Sequence, residues 1–196
     1  MRHDLSEIVC IVDRSGSMEN IRADAMGGYN AFLAGQKSHP GNARLTLVLF
    51  DHEYKLVHDG VDLAACPPLN EHSYVPRGAT ALLDAIGRTI DNLGARLART
   101  PEAERPGKVI VAILTDGEEN SSRTYNRERV AGMIAHQQSK YAWDFIFLAA
   151  NQDAISTAST LSIDADAAFS FEASEAGVRE AYAQMDTAVR TRRGSA

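Results

Sequence analysis

The segment Ile8–Ser17 reads IVCIVDRSGS and joins an apolar run to a carboxylate and two hydroxyls. Its first five residues are apolar and mostly β-branched, a run too short for a buried helix and typical of a central parallel strand covered on both faces. Asp13 stands at the carboxyl end of this predicted strand. Loops at such ends line the ligand crevice of open α/β sheets. We therefore expect Asp13 to face a partner or a ligand.

The polar residues after the strand alternate in a regular way. Asp13, Ser15 and Ser17 are each separated by one residue, and Gly16 between the two serines is small. In a tight loop this spacing can turn three side-chain oxygens toward one point. Oxygen ligands suit a hard cation such as Mg²⁺ or Mn²⁺. The segment therefore predicts part of a cation site.

Two later segments carry matching chemistry. The apolar run at 108–114 ends in Thr115, Asp116 and Gly117, which repeats the pattern of a buried strand followed by a carboxylate. Thr80 lies at or next to the predicted start of a long amphipathic helix. We expect the loops at 13–17, 76–80 and 115–120 to meet at one edge of the sheet. Two carboxylates brought together there would repel each other, and a divalent cation would neutralise them.

Strands and helices alternate along the chain, which predicts a mainly parallel sheet with one antiparallel edge strand and helices on both faces. The stretch Asp59–Arg77 is predicted to be a long surface connection, and Ser174 is predicted to cap the last helix. The predicted strands are 8–12, 44–50, 54–58, 108–115, 143–150 and 167–171. The predicted helices are 19–38, 80–99, 126–140, 153–161 and 174–192.

Length and composition limit the class of protein. The chain has 196 residues, of which 44% are hydrophobic, and this indicates a single folded domain over 1–196. No apolar run is long enough to cross a bilayer, and the polar start at Met1–Glu7 does not resemble a leader, so we expect a cytoplasmic protein without a membrane partner. Cys10 and Cys66 are predicted to be buried thiols. The net charge of −6 argues against nucleic-acid binding.

At these residues the chain resembles the von Willebrand factor type A domain and its metal-ion-dependent adhesion site. The family pattern Asp-x-Ser-x-Ser is met by Asp13, Ser15 and Ser17. The separate threonine of the pattern is met by Thr80, and its later aspartate by Asp116. The order of the predicted elements also fits the family over nearly the whole chain. The resemblance is greatest to the compact bacterial and phage type, which includes proteins associated with tellurite resistance.

The resemblance implies a Rossmann-like three-layer sandwich that holds Mg²⁺, with Mn²⁺ or Ca²⁺ as alternatives. It implies that Asp13, Ser15, Ser17, Thr80 and Asp116 contribute to the metal directly or through water. It further implies that a glutamate or aspartate of a protein partner fills the last metal position. By the same resemblance, the predicted last helix is a candidate for a shift in position when the metal shell changes.

Two functions from different classes remain open on the sequence. The first is a metal-dependent protein-binding module that is not an enzyme, since no nucleophile–base pair, phosphate-binding glycine loop or cofactor fingerprint is evident. The second is a metal-dependent phosphate-ester hydrolase that uses Asp13 as nucleophile or ligand. Such hydrolases usually carry a second acid where this chain has Ser15, and no lysine lies in the three loops.

Each candidate residue also has a simpler structural interpretation. Ser15, Ser17 and Thr80 are residue types that cap helices, and Asp116 with Gly117 is typical of a turn. Arg14 suits either an acidic partner or a structural salt bridge. The segment 118–120 suits either a polar rim beside a metal or a solvated loop.

Overall fold

A six-stranded sheet with helices on both faces is formed by residues 1–150 and 154–194, the part of the chain that the computed structural model describes. The strands are β1 Arg2–Asp13, β2 Asn42–Phe50, β3 Tyr54–Asp62, β4 Pro106–Thr115, β5 Asp144–Ala150 and β6 Ala168–Phe171. The helices are α1 Arg22–Ser38, α2 Leu82–Arg99, α3 Arg127–Tyr141, α4 Ala154–Thr160 and α5 Glu175–Gly194.

The strand order in the sheet is β3-β2-β1-β4-β5-β6. All neighbours are parallel except β2 and β3, which run antiparallel at one edge. This confirms the predicted Rossmann-like sandwich with one antiparallel edge strand. β1 lies between β2 and β4, and Asp13 at its end pairs with Phe50 at the end of β2. The carboxyl ends of the central strands therefore lie side by side.

The core consists of two apolar layers, one on each face of the sheet. From β1, Ile8, Cys10 and Val12 pack into the layer beneath α1 and α5. Val9 and Ile11 point into the opposite layer, beneath α2, α3 and α4. All five are fully buried, which confirms that this strand is covered on both faces.

The bounds of the first and last parts of the chain differ from the prediction. β1 begins at Arg2, ahead of the apolar run, because Arg2 already pairs with Pro106 of β4 and because Leu5 and Glu7 are buried. The predicted start of α4 at Asp153 lies outside the described residues. Ser174 Oγ accepts a hydrogen bond from Gly177 N at 3.1 Å, which confirms the predicted cap of α5. The shift of this helix stays a prediction.

The prediction of a surface connection over Asp59–Arg77 is wrong in part. β3 continues to Asp62, and the segment after it buries apolar side chains against the α1 side of the sheet. These are Leu63, Cys66, Leu69 and Tyr74. Their irregular spacing matches neither a helix nor a strand period, so pattern reading missed them. Cys66 and Cys10 are both buried free thiols, as predicted.

Among the described helices, none is both long and apolar enough to cross a membrane.

A buried ion pair ties β1 to α2 at the other end of the sheet. Glu7 is fully buried and accepts hydrogen bonds from Arg96 Nη2 and Thr46 Oγ1, both at 2.6 Å. Arg96 also lies 2.9 Å from Asp59 of β3 through its Nε. Removing one partner of such a pair leaves an uncompensated charge in the core.

We expect Arg96→Ala to lower the free energy of unfolding by about 3 kcal/mol, because Glu7 would be left buried without its counter-charge. Arg99→Ala is the matched control, since Arg99 is exposed in the last turn of the same helix. Chemical denaturation followed by circular dichroism measures both. Equal stability of the two variants would contradict a stabilising role for the pair.

Candidate metal centre

The three predicted loops meet at the carboxyl edge of the sheet. Gly16 N donates to Gly78 O at 3.0 Å, and Arg77 N donates to Arg14 O at 2.8 Å, so the first loop is fastened to the second. Asn120 N donates to Thr80 O at 3.0 Å, which fastens the second loop to the third. The expectation that these segments converge is confirmed.

Asp13 lies at the base of the cluster and is fully buried. Its Oδ1 accepts a hydrogen bond from Ser15 N at 2.6 Å, and its Oδ2 accepts one from Thr115 Oγ1 at 2.6 Å. Its backbone carbonyl accepts a bond from the Tyr74 hydroxyl at 2.7 Å. Backbone and side chain are therefore both fixed before any ligand arrives.

The hydroxyls lie above Asp13 and lead to the second carboxylate. Ser15 Oγ is 3.0 Å from Ser17 Oγ, and Ser17 Oγ donates to Asp116 Oδ1 at 2.7 Å. Thr80 borders the same space, because a Cβ placed on Gly117 would lie 2.9 Å from Thr80 Oγ1 and 3.6 Å from Ser17 Oγ. Ser17 is exposed, whereas the other predicted ligands are buried. The structure thus brings together all five predicted side chains at a site open on one side.

Helix capping does not explain these hydroxyls. Ser15 precedes the 3₁₀ turn Gly16–Ile21 but makes no side-chain cap hydrogen bond. α2 begins at Leu82, after Thr80. The first amides of α2 are capped from the third loop instead, where Glu119 Oε2 accepts from Leu83 N at 2.9 Å.

The segment 118–120 is more than a solvated loop. Glu119 Oε1 accepts from Ser121 N and Ser122 N at 3.0 and 2.7 Å, in addition to its contact with α2. Asn120 Oδ1 accepts from Thr80 N at 2.9 Å. Glu118 and Asn120 are exposed, and Glu119 is half-buried. Glu119 and Asn120 thus hold the loops together, a role that neither alternative included, and a polar rim beside the metal stays a prediction. Nothing in the local sequence signals these roles, because the partners are about 40 residues away.

Arg14 forms a structural salt bridge. Its guanidinium is buried and lies 3.0 Å from Asp51 Oδ2. The same oxygen lies 3.0 Å from Arg77 Nε, and the Asp51 carbonyl accepts from Ala81 N at 2.9 Å. Asp51 lies in the turn between β2 and β3. It joins the first loop to the second, a role that the sequence does not reveal.

Burial disfavours the charged forms of the two site carboxylates. It raises the pKa of Asp13 to about 6, and the nearby charge of Asp116 adds to the rise, while hydrogen bonds from Thr115 and Ser15 oppose it. Burial also raises the pKa of Asp116. Arg14 does not neutralise them directly, because it is paired with Asp51. A cation held between the two carboxylates would favour their ionised forms.

The donor set fits a hard divalent cation. Within residues 1–150 and 154–194, no three His, Cys, Asp or Glu side chains gather as a metal site. A cation at this edge would therefore be held by two carboxylates and three hydroxyls, all oxygen donors, which suit Mg²⁺ better than a soft metal.

Comparisons with known proteins give matches at the level of structure. Neither a protein-family model nor a curated protein matches the sequence. Proximal thread matrix protein 1 from the mussel byssus, solved with a zinc-occupied MIDAS motif, superposes with a TM-score of 0.64 and 15% identity, over 94% of this chain and 46% of the mussel chain. The von Willebrand factor domain of the type V pili tip protein Mfa5 from Porphyromonas gingivalis gives a TM-score of 0.63 and 12% identity, over 95% of each chain.

A von Willebrand factor type A protein from Catenulispora acidiphila superposes with a TM-score of 0.56 and 18% identity, over 92% of this chain and 42% of the other. The chain thus spans less than half of the mussel and Catenulispora proteins and nearly all of the Mfa5 domain. At these identities the matches establish the fold. We conclude that the chain has the fold of von Willebrand factor type A domains.

Proposed function

We propose that the protein is a protein-binding module that depends on a divalent cation, Mg²⁺ by preference. The observation that carries the proposal is the convergence of Asp13, Ser15, Ser17, Thr80 and Asp116 from three remote loops. Burial raises the pKa of both carboxyl groups, and a positive charge between them would favour their ionised forms. Hydroxyl oxygens placed beside them complete an arrangement suited to a hard cation.

The partner is proposed to supply a glutamate or aspartate carboxylate. The protein side chains leave the site open at Ser17, which is exposed, so a guest oxygen has access to the cation. When bound, the cation would offset the charge of the two protein carboxylates and attract a third from the partner. Structural neighbours support a binding role, since they include a matrix protein with a zinc-occupied MIDAS motif and a domain of a pilus tip protein.

The hydrolase alternative gains no support from the geometry of Asp13. Both carboxylate oxygens of Asp13 accept short hydrogen bonds from the protein, and the residue is fully buried. Each oxygen keeps a lone pair that a small cation can reach, whereas attack on a phosphate ester requires a carboxylate that the bulky substrate can reach. These contacts instead favour a role in holding the loop and the cation.

We expect Asp13→Ala to weaken Mg²⁺ binding by at least about 100-fold, because it removes one of two charged ligands. Isothermal titration calorimetry measures the affinity, and circular dichroism checks that the fold is kept. Asp166→Ala is the matched control, since Asp166 is exposed and far from the loops along the chain. Undiminished Mg²⁺ binding by a folded Asp13→Ala protein would refute the assignment. If the wild type hydrolysed an aryl phosphate and this variant did not, the result would support the hydrolase function instead.

We expect Asp51→Asn to weaken Mg²⁺ binding by about tenfold without touching the ligands, because Arg14 and Arg77 would lose the charge that fixes both loops. Glu53→Gln is the control, since Glu53 is exposed and pairs with Arg77 alone of these two arginines. Affinity and the melting temperature without metal are measured together. A fall in melting temperature at unchanged affinity would mean that Asp51 stabilises the fold only.

The affinity for Mg²⁺ should fall as the pH is lowered through the pKa of Asp13, which is about 6. Protonation competes with the cation for this carboxylate, so the affinity at pH 5 should be about tenfold lower than at pH 7.5. Without metal, the stability of the fold changes with pH in the opposite direction. Because its pKa is raised on folding, Asp13 stabilises the fold below about pH 4. That contribution is lost as the pH rises through about 6. Melting temperatures measured across this range, with Mg²⁺ and with chelator, would contradict the assignment if the two curves stayed parallel.

A further inference from the structure

A cleft of about 490 Å³ lies beside the metal centre, between the turn after β2 and the segment that leads to Thr80. Its lining is mostly basic and apolar, with one acidic residue: Arg14, Lys55, His72, Arg77, Tyr54, Val75, Ser73 and Glu53. Arg14 belongs to the metal-binding loop itself. The cleft is therefore continuous with the proposed site for the partner's carboxylate.

The cleft carries more positive than negative charge, in contrast to the protein as a whole, which has a net charge of −6. Arg14 and Arg77 share the buried carboxylate of Asp51, and Arg77 also pairs with Glu53. Lys55 is exposed, and among the described residues no acidic side chain forms an ion pair with it. Two carboxylates thus face three permanent cations.

Arg77 joins the cleft to the metal-binding loop. Arg77 N donates to Arg14 O at 2.8 Å, next to the metal ligands, while its guanidinium is held by Asp51 and about half exposed. Gly78 follows with φ +66, a turn that carries the chain back toward Thr80. Arg77 and Lys55 therefore line the same cleft as Arg14 of the metal-binding loop.

We infer that this cleft, which we call the basic cleft, binds a second acidic side chain of the same partner segment whose carboxylate completes the metal shell. The inference rests on the proposed function, in which a first carboxylate of the partner contacts the metal. Charge complementarity selects the occupant, since an acidic peptide matches unpaired Lys55 and half-exposed Arg77. The apolar groups Tyr54 and Val75 would contact the aliphatic part of a glutamate side chain.

The test uses an acetylated and amidated hexaglutamate peptide, titrated into the full chain and followed by amide chemical shifts in nuclear magnetic resonance. With chelator present, we expect shifts at Lys55, Ser73 and Arg77. With Mg²⁺ present, we expect the shifts to extend to Ser17 and Thr80 and the affinity to rise. The first result tests the basic cleft, and the second tests the metal-dependent function, so either can fail without the other.

Charge reversal gives the matched comparison. Lys55→Glu should weaken peptide binding in chelator by about fivefold at low salt, and the difference should shrink at high salt. Lys140→Glu changes the net charge equally at the end of α3 and should alter binding less than about twofold.

Three results would overturn the inference. The first is an absence of shifts at the basic cleft in chelator. The second is equal binding by Lys55→Glu and the wild type. The third is tighter binding at the same residues by a single-stranded oligonucleotide than by the peptide, which would assign the surface to phosphates.

Discussion

The burial of a carboxylate at the end of the central strand is the constraint on which the site depends. β1 is paired on both sides up to Val12, and its last residue, Asp13, pairs with Phe50 and is fully buried, so it cannot turn toward bulk water. The sequence order of the strands reverses beside β1, and the loops after β1 and β4 leave toward opposite faces, toward α1 and α3. A crevice opens between them at this point. The fold itself thus places two charges where each is poorly solvated.

The free-energy cost of burying these carboxylates is offset by hydrogen bonds and ion pairs that come mostly from residues other than the proposed ligands. Thr115 and the amide of Ser15 donate to Asp13, while Tyr74 fixes its backbone. Farther out, Asp51 and Glu119 fasten the loops to one another and to α2. Because these groups are already in place, binding a cation requires little reorganisation. The site is in this sense prepared by the residues that surround it.

The sequence predicts the ligand positions better than it predicts their support. Alternating Asp13, Ser15 and Ser17 after an apolar run is a local signal, and the repeat at Asp116 follows the same rule. The supporting contacts join residues that are far apart in the chain, and their residue types are ordinary for loops. Asp51 resembles any turn residue until the structure shows it beneath two arginines. Local patterns therefore point to the proposed donors, and tertiary contacts decide which other polar residues matter.

The late position of β4 in the sequence has a consequence for folding during synthesis. A nascent chain that ends before Pro106 contains β1, β2 and β3 but lacks both Asp116 and the loop that caps α2. It can therefore hold no complete cation site, and β1 still presents one unpaired edge until β4 inserts beside it. A cation that binds the finished site stabilises the native state by mass action and gives early intermediates no comparable protection. Before β4 is added, the growing polypeptide depends on its first three strands and on any chaperone that shields that edge.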